Sequence, residues 1–281
     1  MFPLLLAQAL LVTTPFTADH SFTSGVEGPA ADRVGNVYAV SFQRQNTIGK
    51  ITPEGQGAIF VEMPEGSLAN GIRFGLDGQM YVADYKGHNI LQIDPSTRKI
   101  RVFAHEPTMN QPNDLAISPD GTLWASDPAW SQKTGQVWRI DRDARVTRVA
   151  SDMGTTNGIE VSPDGKYLYV NESAQRKVWR FRINKDRTLS DKQLLIEFPD
   201  FGMDGMRADR KGNLYITRHG KGTVAIVTPK GKLLEEVNVL GKNPTNITFG
   251  GPDNKTCYVT EVEKGRIVSF RARHAGREPL R

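Results

Sequence analysis

Residues 113–127, NDLAISPDGTLWASD, decide the fold. Two short apolar runs, LAIS and TLWAS, flank a Pro-Asp-Gly turn signal, the signature of a tight β-hairpin. The pattern repeats as EGPAADRVGNVYAVS from Glu27, NGIRFGLDGQMYVAD from Asn70 and NGIEVSPDGKYLYVNE from Asn157. DGMRADRKGNLYITR from Asp204 and NITFGGPDNKTCYVTE from Asn246 complete six copies. Successive copies start 43, 43, 44, 47 and 42 residues apart. An aromatic residue (Tyr38, Tyr81, Trp124, Tyr169, Tyr215, Tyr258) follows each start by 11 or 12 positions. The copies with the longer interval, at Asn157 and Asn246, carry one extra residue after the turn. Gly35, Gly78, Gly121, Gly165 and Gly212 take the turn position that needs a positive φ. Asn254, of the next most tolerant residue type, takes it in the last copy.

Two further apolar runs follow the hairpin in most copies, such as GQVWRID and VTRVAS. Four short strands every 42–47 residues predict an all-β fold, a six-bladed β-propeller of four-stranded antiparallel blades. The stretch from Tyr167 to Phe198 has neither Gly nor Pro, yet its pieces YLYV, KVWRFRI and LLIEF alternate or run apolar in short bursts, so it reads as strands. After the sixth hairpin only GRIVSFRA, 265–272, remains as a clear strand. TADHSFTS at 17–24 is therefore expected to complete the last blade and close the ring. This makes 17–281 a single propeller domain. Residues 1–16 carry the apolar run FPLLLAQALLV, too short to span a bilayer and without the basic residue of a usual leader. It is either an export signal, giving a periplasmic or secreted protein, or an apolar segment packed on the domain of a cytoplasmic one.

The 281 residues include 27 Gly and 16 Pro, scattered too evenly for a helical bundle. Lys and Arg number 36 against 31 Asp and Glu, a net charge of +5 without any basic run interleaved with aromatics, so no nucleic-acid partner is expected. No other apolar run is long enough for a membrane span, and nothing in the sequence separates a monomer from a small homo-oligomer. A single cysteine, Cys257, excludes a disulfide framework and any multi-cysteine metal site. GxSxG, HExxH and P-loop motifs are absent, and His20, His88, His105 and His274 form no spaced cluster.

In a four-stranded blade the innermost strand starts at one mouth of the channel. Glu27, Asn70, Asn113, Asn157, Asp204 and Asn246 thus form a ring of carboxylates and carboxamides around that mouth. The alternative is that the Asn-Gly and Asp-Gly pairs only mark turns. Oxygen donors without His or Cys suit a hard divalent cation: Ca²⁺ first, then Mg²⁺ or Mn²⁺, with Zn²⁺ the poorest match.

The segments PNDLAISPDGTLWASDPAW (112–130), NGIEVSPDGKYLYVNES (157–173), DGMRADRKGNLYITR (204–218) and PTNITFGGPDNKTCYVTEVEKGRI (244–267) resemble the SMP-30/gluconolactonase/LRE family. The resemblance extends from about residue 24 to 280 and includes the terminal GREPL. It implies a six-bladed propeller with one divalent metal, usually calcium, held by Glu27, Asn157 and Asp204. It also implies that Asn113 touches metal or substrate, and that Asp204 is the general base. The implied reaction is opening of a lactone ring by an activated water, with the metal as Lewis acid. Metal ligation lowers a carboxylate's basicity, so orienting the water is the alternative role of Asp204. Gln111 departs from the Arg that sugar-lactone members often carry there. Tyr85, Asp127, Trp130, Arg218 and His219, at or just beyond the ends of second strands, are expected to face the same mouth. Trp130 reads as a lid or a packed surface aromatic, and His219 as a proton shuttle or a solvated loop histidine. The alternatives to a lactonase are a phosphotriesterase- or esterase-type hydrolase at the same metal site, and a non-catalytic binding propeller.

Overall fold

Each hairpin read from the sequence is the inner half of a blade. The computed structural model describes residues 10–277, in which six antiparallel sheets of four strands follow one another round a ring. Blade 3 is typical: Leu115–Ile117, Leu123–Ala129, Thr134–Ile140 and Val146–Met153. The Gly- and Pro-free stretch of blade 4 forms Tyr167–Glu172, Lys177–Ile183 and Leu189–Glu197. Among the described residues the sole helical element is the 3₁₀ turn Trp130–Gln132, and no helix is long and apolar enough to cross a membrane.

The turn glycines at 35, 78, 121, 165 and 212 all have positive φ, as does Asn254. The extra residue of the fourth copy lies in its turn. Ser118 N bonds to the carbonyl of Thr122 in blade 3, whereas Ser162 N bonds one residue further on, to Tyr167, in blade 4.

The core lies between blades. A cluster of buried apolar side chains joins each neighbouring pair, from blades 1 and 2 round to blades 6 and 1. The repeated aromatic sits at this junction. Tyr215 meets Phe249 of the next blade edge-to-face at 5.0 Å, and Tyr38 meets Phe74 at 5.5 Å. Such pairs contribute about 0.5–1.5 kcal/mol beyond their burial.

The N-terminal segment closes the ring, but through a different stretch from the one expected. Thr14 and Pro15 pair with Ser269 and Val268 as the outer strand of blade 6. Within the expected stretch, Thr17 N and Phe22 N still bond to Ile267 O and Gly265 O of blade 6, and from Phe22 the chain crosses to blade 1, because this segment must bring it from the rim to Glu27 at the axis. Phe22 anchors the crossing, 4% exposed and edge-to-face with Phe42 at 5.1 Å. Most of the apolar N-terminal run, residues 1–9, lies outside the described residues. At the other end, the C-terminal RARHAGREPLR, 271–281, carries four Arg against one Glu and reads as a solvated tail, but it is not wholly solvated. Its described part crosses the opposite mouth, where Arg277 N bonds to the Ala208 carbonyl and its guanidinium pairs with buried Glu160 at 2.5 Å.

Candidate functional site

The ring of acidic and amide side chains is built by bulges, not turns. In blades 2, 4 and 6 the register of inner and second strands slips between Ala69 and Ile72, Thr156 and Ile159, and Pro244 and Ile247. In blade 5, Asp204 N bonds to Thr217 O while Thr217 N bonds to Gly205 O, so two residues again oppose one. A bulge of this kind re-aims a side chain, here toward the axis. The residue after the donor also turns inward, where the next strand passes close. A Cβ on Gly158 would lie 2.4 Å from the Asp204 carbonyl oxygen, and one on Gly205 would lie 2.0 Å from Asn246 Cγ. In blades 1, 2, 4 and 5 glycine therefore follows the donor because the axis is crowded. Gly71 N and Gly158 N use that closeness to bond to Asn113 O (2.8 Å) and Asp204 O (3.1 Å) of the following blade.

A cavity of about 220 Å³ opens above this ring, with Glu27, Asn70, Asn113, Asn157 and Asp204 on its floor. Asn246, the sixth member, is buried beneath, with its amide donating to Glu27 Oε2 at 2.9 Å. Glu27 also accepts from Gly28 N. Burial, partly offset by these bonds, pushes Glu27 up from the ordinary carboxylate range. Asp204 is pushed well up by burial and by the charge of Glu27, and the two carboxyls are hydrogen-bonding neighbours. Oδ1 of Asn113 and Oδ1 of Asn157 are buried without a hydrogen-bond partner among the described residues. Two carboxylates held close in a buried site and two unsatisfied amide oxygens fit a hard divalent cation, which would neutralise the first and ligate the second. Among the described residues no three His, Cys, Asp or Glu side chains gather into a metal cluster. The acceptors here are two carboxylates supplemented by amides.

Further down the axis, Asp114 meets Arg73 Nη1 at 3.4 Å and Arg207 Nη1 at 3.2 Å, all three buried. Burial, only partly offset by Arg73, pushes Asp114 up to about 7. Arg207 Nη1 also donates to Asn246 Oδ1, linking this ion cluster to Glu27. In the sequence the signal for this cluster is an Arg three positions after Asn70 and after Asp204, inside otherwise apolar inner strands, a pattern separate from the donors and turns of the repeat.

Of the residues expected beyond the second strands, Tyr85 and Trp130 line the cavity. Gln111 stands behind them, accepting the Tyr85 hydroxyl at 3.1 Å. Asp127 does not face the cavity. It is fully buried and accepts from Asn110 N, Gln111 N, Gln136 Nε2 and Trp138 Nε1. Arg218 is likewise fully buried, bonded to the carbonyls of Asp200 and Gly202 and packed 3.7 Å over the Phe198 ring. In blades 2 to 6 the position three after the repeated aromatic ties the loop entering the inner strand to its blade. Asp84 and Glu261 do the same, accepting Leu68 N and Asn243 N. His219 is exposed and outside the cavity lining. Ser41, Gln45, Leu68 and Ala69 complete the walls and were not foreseen. Gln45 and Leu68 lie in loops between the repeated segments, where no pattern marks them, whereas Ser41 ends the first repeated segment and Ala69 opens the inner strand Ala69–Phe74.

The fold and site define a six-bladed propeller with an acid-and-amide centre at one mouth of its channel. The chain belongs to the SMP-30/gluconolactonase/LRE-like family, which it matches over residues 22–263. It is 28% identical to the gluconolactonase of Zymomonas mobilis, over 94% of this chain and 80% of the relative. It is 26% identical to diisopropyl-fluorophosphatase of Loligo vulgaris over 94% of each chain. The structure of regucalcin from Agrobacterium tumefaciens, described as calcium-binding, superposes with a TM-score of 0.80 at 19% identity, covering 98% of this chain and 96% of that one.

Proposed function

We propose that this protein is a divalent-metal-dependent lactonase. One observation carries the reading: Glu27 and Asp204 share a buried floor with the unsatisfied amide oxygens of Asn113 and Asn157. The likeness to a gluconolactonase over nearly the whole chain supports the substrate class. Calcium is the cation that the donor chemistry favours, with Glu27, Asp204, Asn157 and Asn113 as its holders. When bound, a divalent cation supplies Lewis acidity toward the lactone carbonyl and electrostatic stabilisation of the oxyanion.

The chain's own residues do the rest. Asp204 is partly open to the cavity, and its carboxylate there orients the attacking water and receives its proton. Attack at the carbonyl carbon forms the new C–O bond, the ring ester C–O bond breaks, and the departing ring oxygen takes the proton that Asp204 received, leaving a hydroxy acid. Asn246 and Gly28 N hold Glu27 in place from below. The Trp130 and Tyr85 rings shield one side of the cavity from water. The likeness to diisopropyl-fluorophosphatase favours a second reading, hydrolysis at phosphorus in the same site.

A panel of lactones and phosphorus esters assayed by proton release, with chelator and metal add-back, tests both readings. Chelation abolishes lactone hydrolysis and calcium restores it. Asp204→Ala lowers kcat/KM at least about 100-fold, the range of a lost acid–base group. Full activity in Asp204→Ala, or in chelator, would sink the proposal. Turnover of phosphorus esters alone would establish the second reading, and turnover of nothing in the panel would leave a binding propeller.

A further inference from the structure

The cavity walls are not alike. Blades 2 and 3 supply Leu68, Ala69, Tyr85 and Trp130, an apolar and aromatic side. The blade 1 side is polar and uncharged: Ser41 Oγ lies 3.2 Å from Gln45 Oε1, and Gln45 Nε2 donates to Thr23 Oγ1 at 2.9 Å. Among the described residues, Glu27 and Asp204 are the only charged side chains in the lining, with no Lys, Arg or His. Arg73 and Arg207 belong to the closed cluster below the floor.

We infer that the site selects uncharged, monocyclic lactones with one apolar face and rejects lactones bearing a phosphate, sulfonate or second carboxylate. The inference rests on the lactonase reading above and specifies its substrate. A divalent cation on the floor brings the lining charge to zero, so an anionic substituent entering the cavity finds no fixed counter-charge. Burying an anion without a partner is costly. Gln111, behind Tyr85, offers an amide where a guanidinium would have supplied such a partner. An apolar ring face lies against Tyr85 and Trp130, while hydroxyls turned the other way reach Ser41 and Gln45. At about 220 Å³ the cavity is below the 300–1,000 Å³ usual for drug-sized ligands, which suits one small ring.

The test pairs turnover with binding, using the calcium-loaded full chain. Hydrolysis of glucono-1,5-lactone is compared with that of 6-phosphoglucono-1,5-lactone. Binding of glucono-1,5-lactam, which has no cleavable ester, and of its 6-phosphate is measured by calorimetry. The neutral lactone is expected to have a kcat/KM at least about 100-fold higher, and the lactam to bind where its phosphate does not. Trp130→Ala weakens lactam binding and raises KM about tenfold, with kcat within about threefold and Tm unchanged, because this indole is exposed. Phosphorylated ligands within tenfold of the neutral ones, or wild-type lactam affinity in Trp130→Ala, overturn the inference while leaving the lactonase reading intact. If the lactam pair discriminates but neither lactone is hydrolysed, the lactonase reading falls and the selectivity of the pocket stands.

Discussion

Glu27 and Asp204 carry the charge logic of the site, and their pKa directions make it measurable. Both are raised in the cation-free fold, chiefly by burial. A carboxyl raised in this way stabilises the fold below its unfolded value, near pH 4, and that contribution is lost as pH rises through its folded value. Cation binding requires both groups deprotonated and so releases protons. Calcium should therefore protect the fold little at pH 5 and much more at pH 8. At 100 times Kd, linkage gives about 2.7 kcal/mol, equivalent to a Tm rise of about 5–10 °C. Thermal unfolding with calcium and with chelator at the two pH values checks this; an equal rise at both would remove Glu27 and Asp204 from the cation's ligands. The donors were legible because they recur at a fixed place in six copies. The role of the following glycine was not: Asn-Gly reads as a turn in one dimension, and only the approach of the next blade to within a Cβ's reach reveals why glycine is required.

At the scale of the element, the ends of the second strands show where sequence reasoning lost its grip. Alternation along a strand places Asp127 and Arg218 at the channel mouth, but both point back into the blade and bind the loop that feeds the inner strand. In blade 2, Tyr85, one residue past the corresponding Asp84, reaches the cavity. A polar residue at a strand end serves equally well as loop clamp or ligand contact, and only the direction of its side chain separates the two. Asp127→Ala tests the clamp. It strips four donors of their acceptor, each costing about 1–3 kcal/mol when buried. Tm should fall by at least about 5 °C. KM should rise through displacement of Gln111 and Tyr85, with calcium affinity held within about threefold. An unchanged Tm with kcat reduced would return Asp127 to direct contact with substrate.

For the whole molecule, the repeat settled the blade number because six interfaces between like blades demand six like hairpins, each bringing an aromatic to the junction. Closure was less legible, since the outer strand is two residues long and its pairing partner lies more than 250 positions away. Loop closure over that distance leaves no local pattern to read. Thr14 and Pro15 cover the open edge of Arg266–Arg271, and Thr13 Oγ1 adds a bond to the Asn238 carbonyl of blade 5. Phe16 N and Phe22 N continue the attachment to Ile267 O and Gly265 O. Removing residues 1–15 should therefore expose a strand edge and lower Tm by about 5 °C or more, with added aggregation at that edge. Removing residues 1–23 also takes away Phe22, whose loss from a core costs about 3–5 kcal/mol, and should leave little folded protein at 37 °C. Phe22→Ala in the full chain separates the two contributions, because it keeps the strand and empties only the junction of blades 6 and 1. A 1–15 deletion that melts within about 1 °C of the full chain would mean that the last blade stands on three strands.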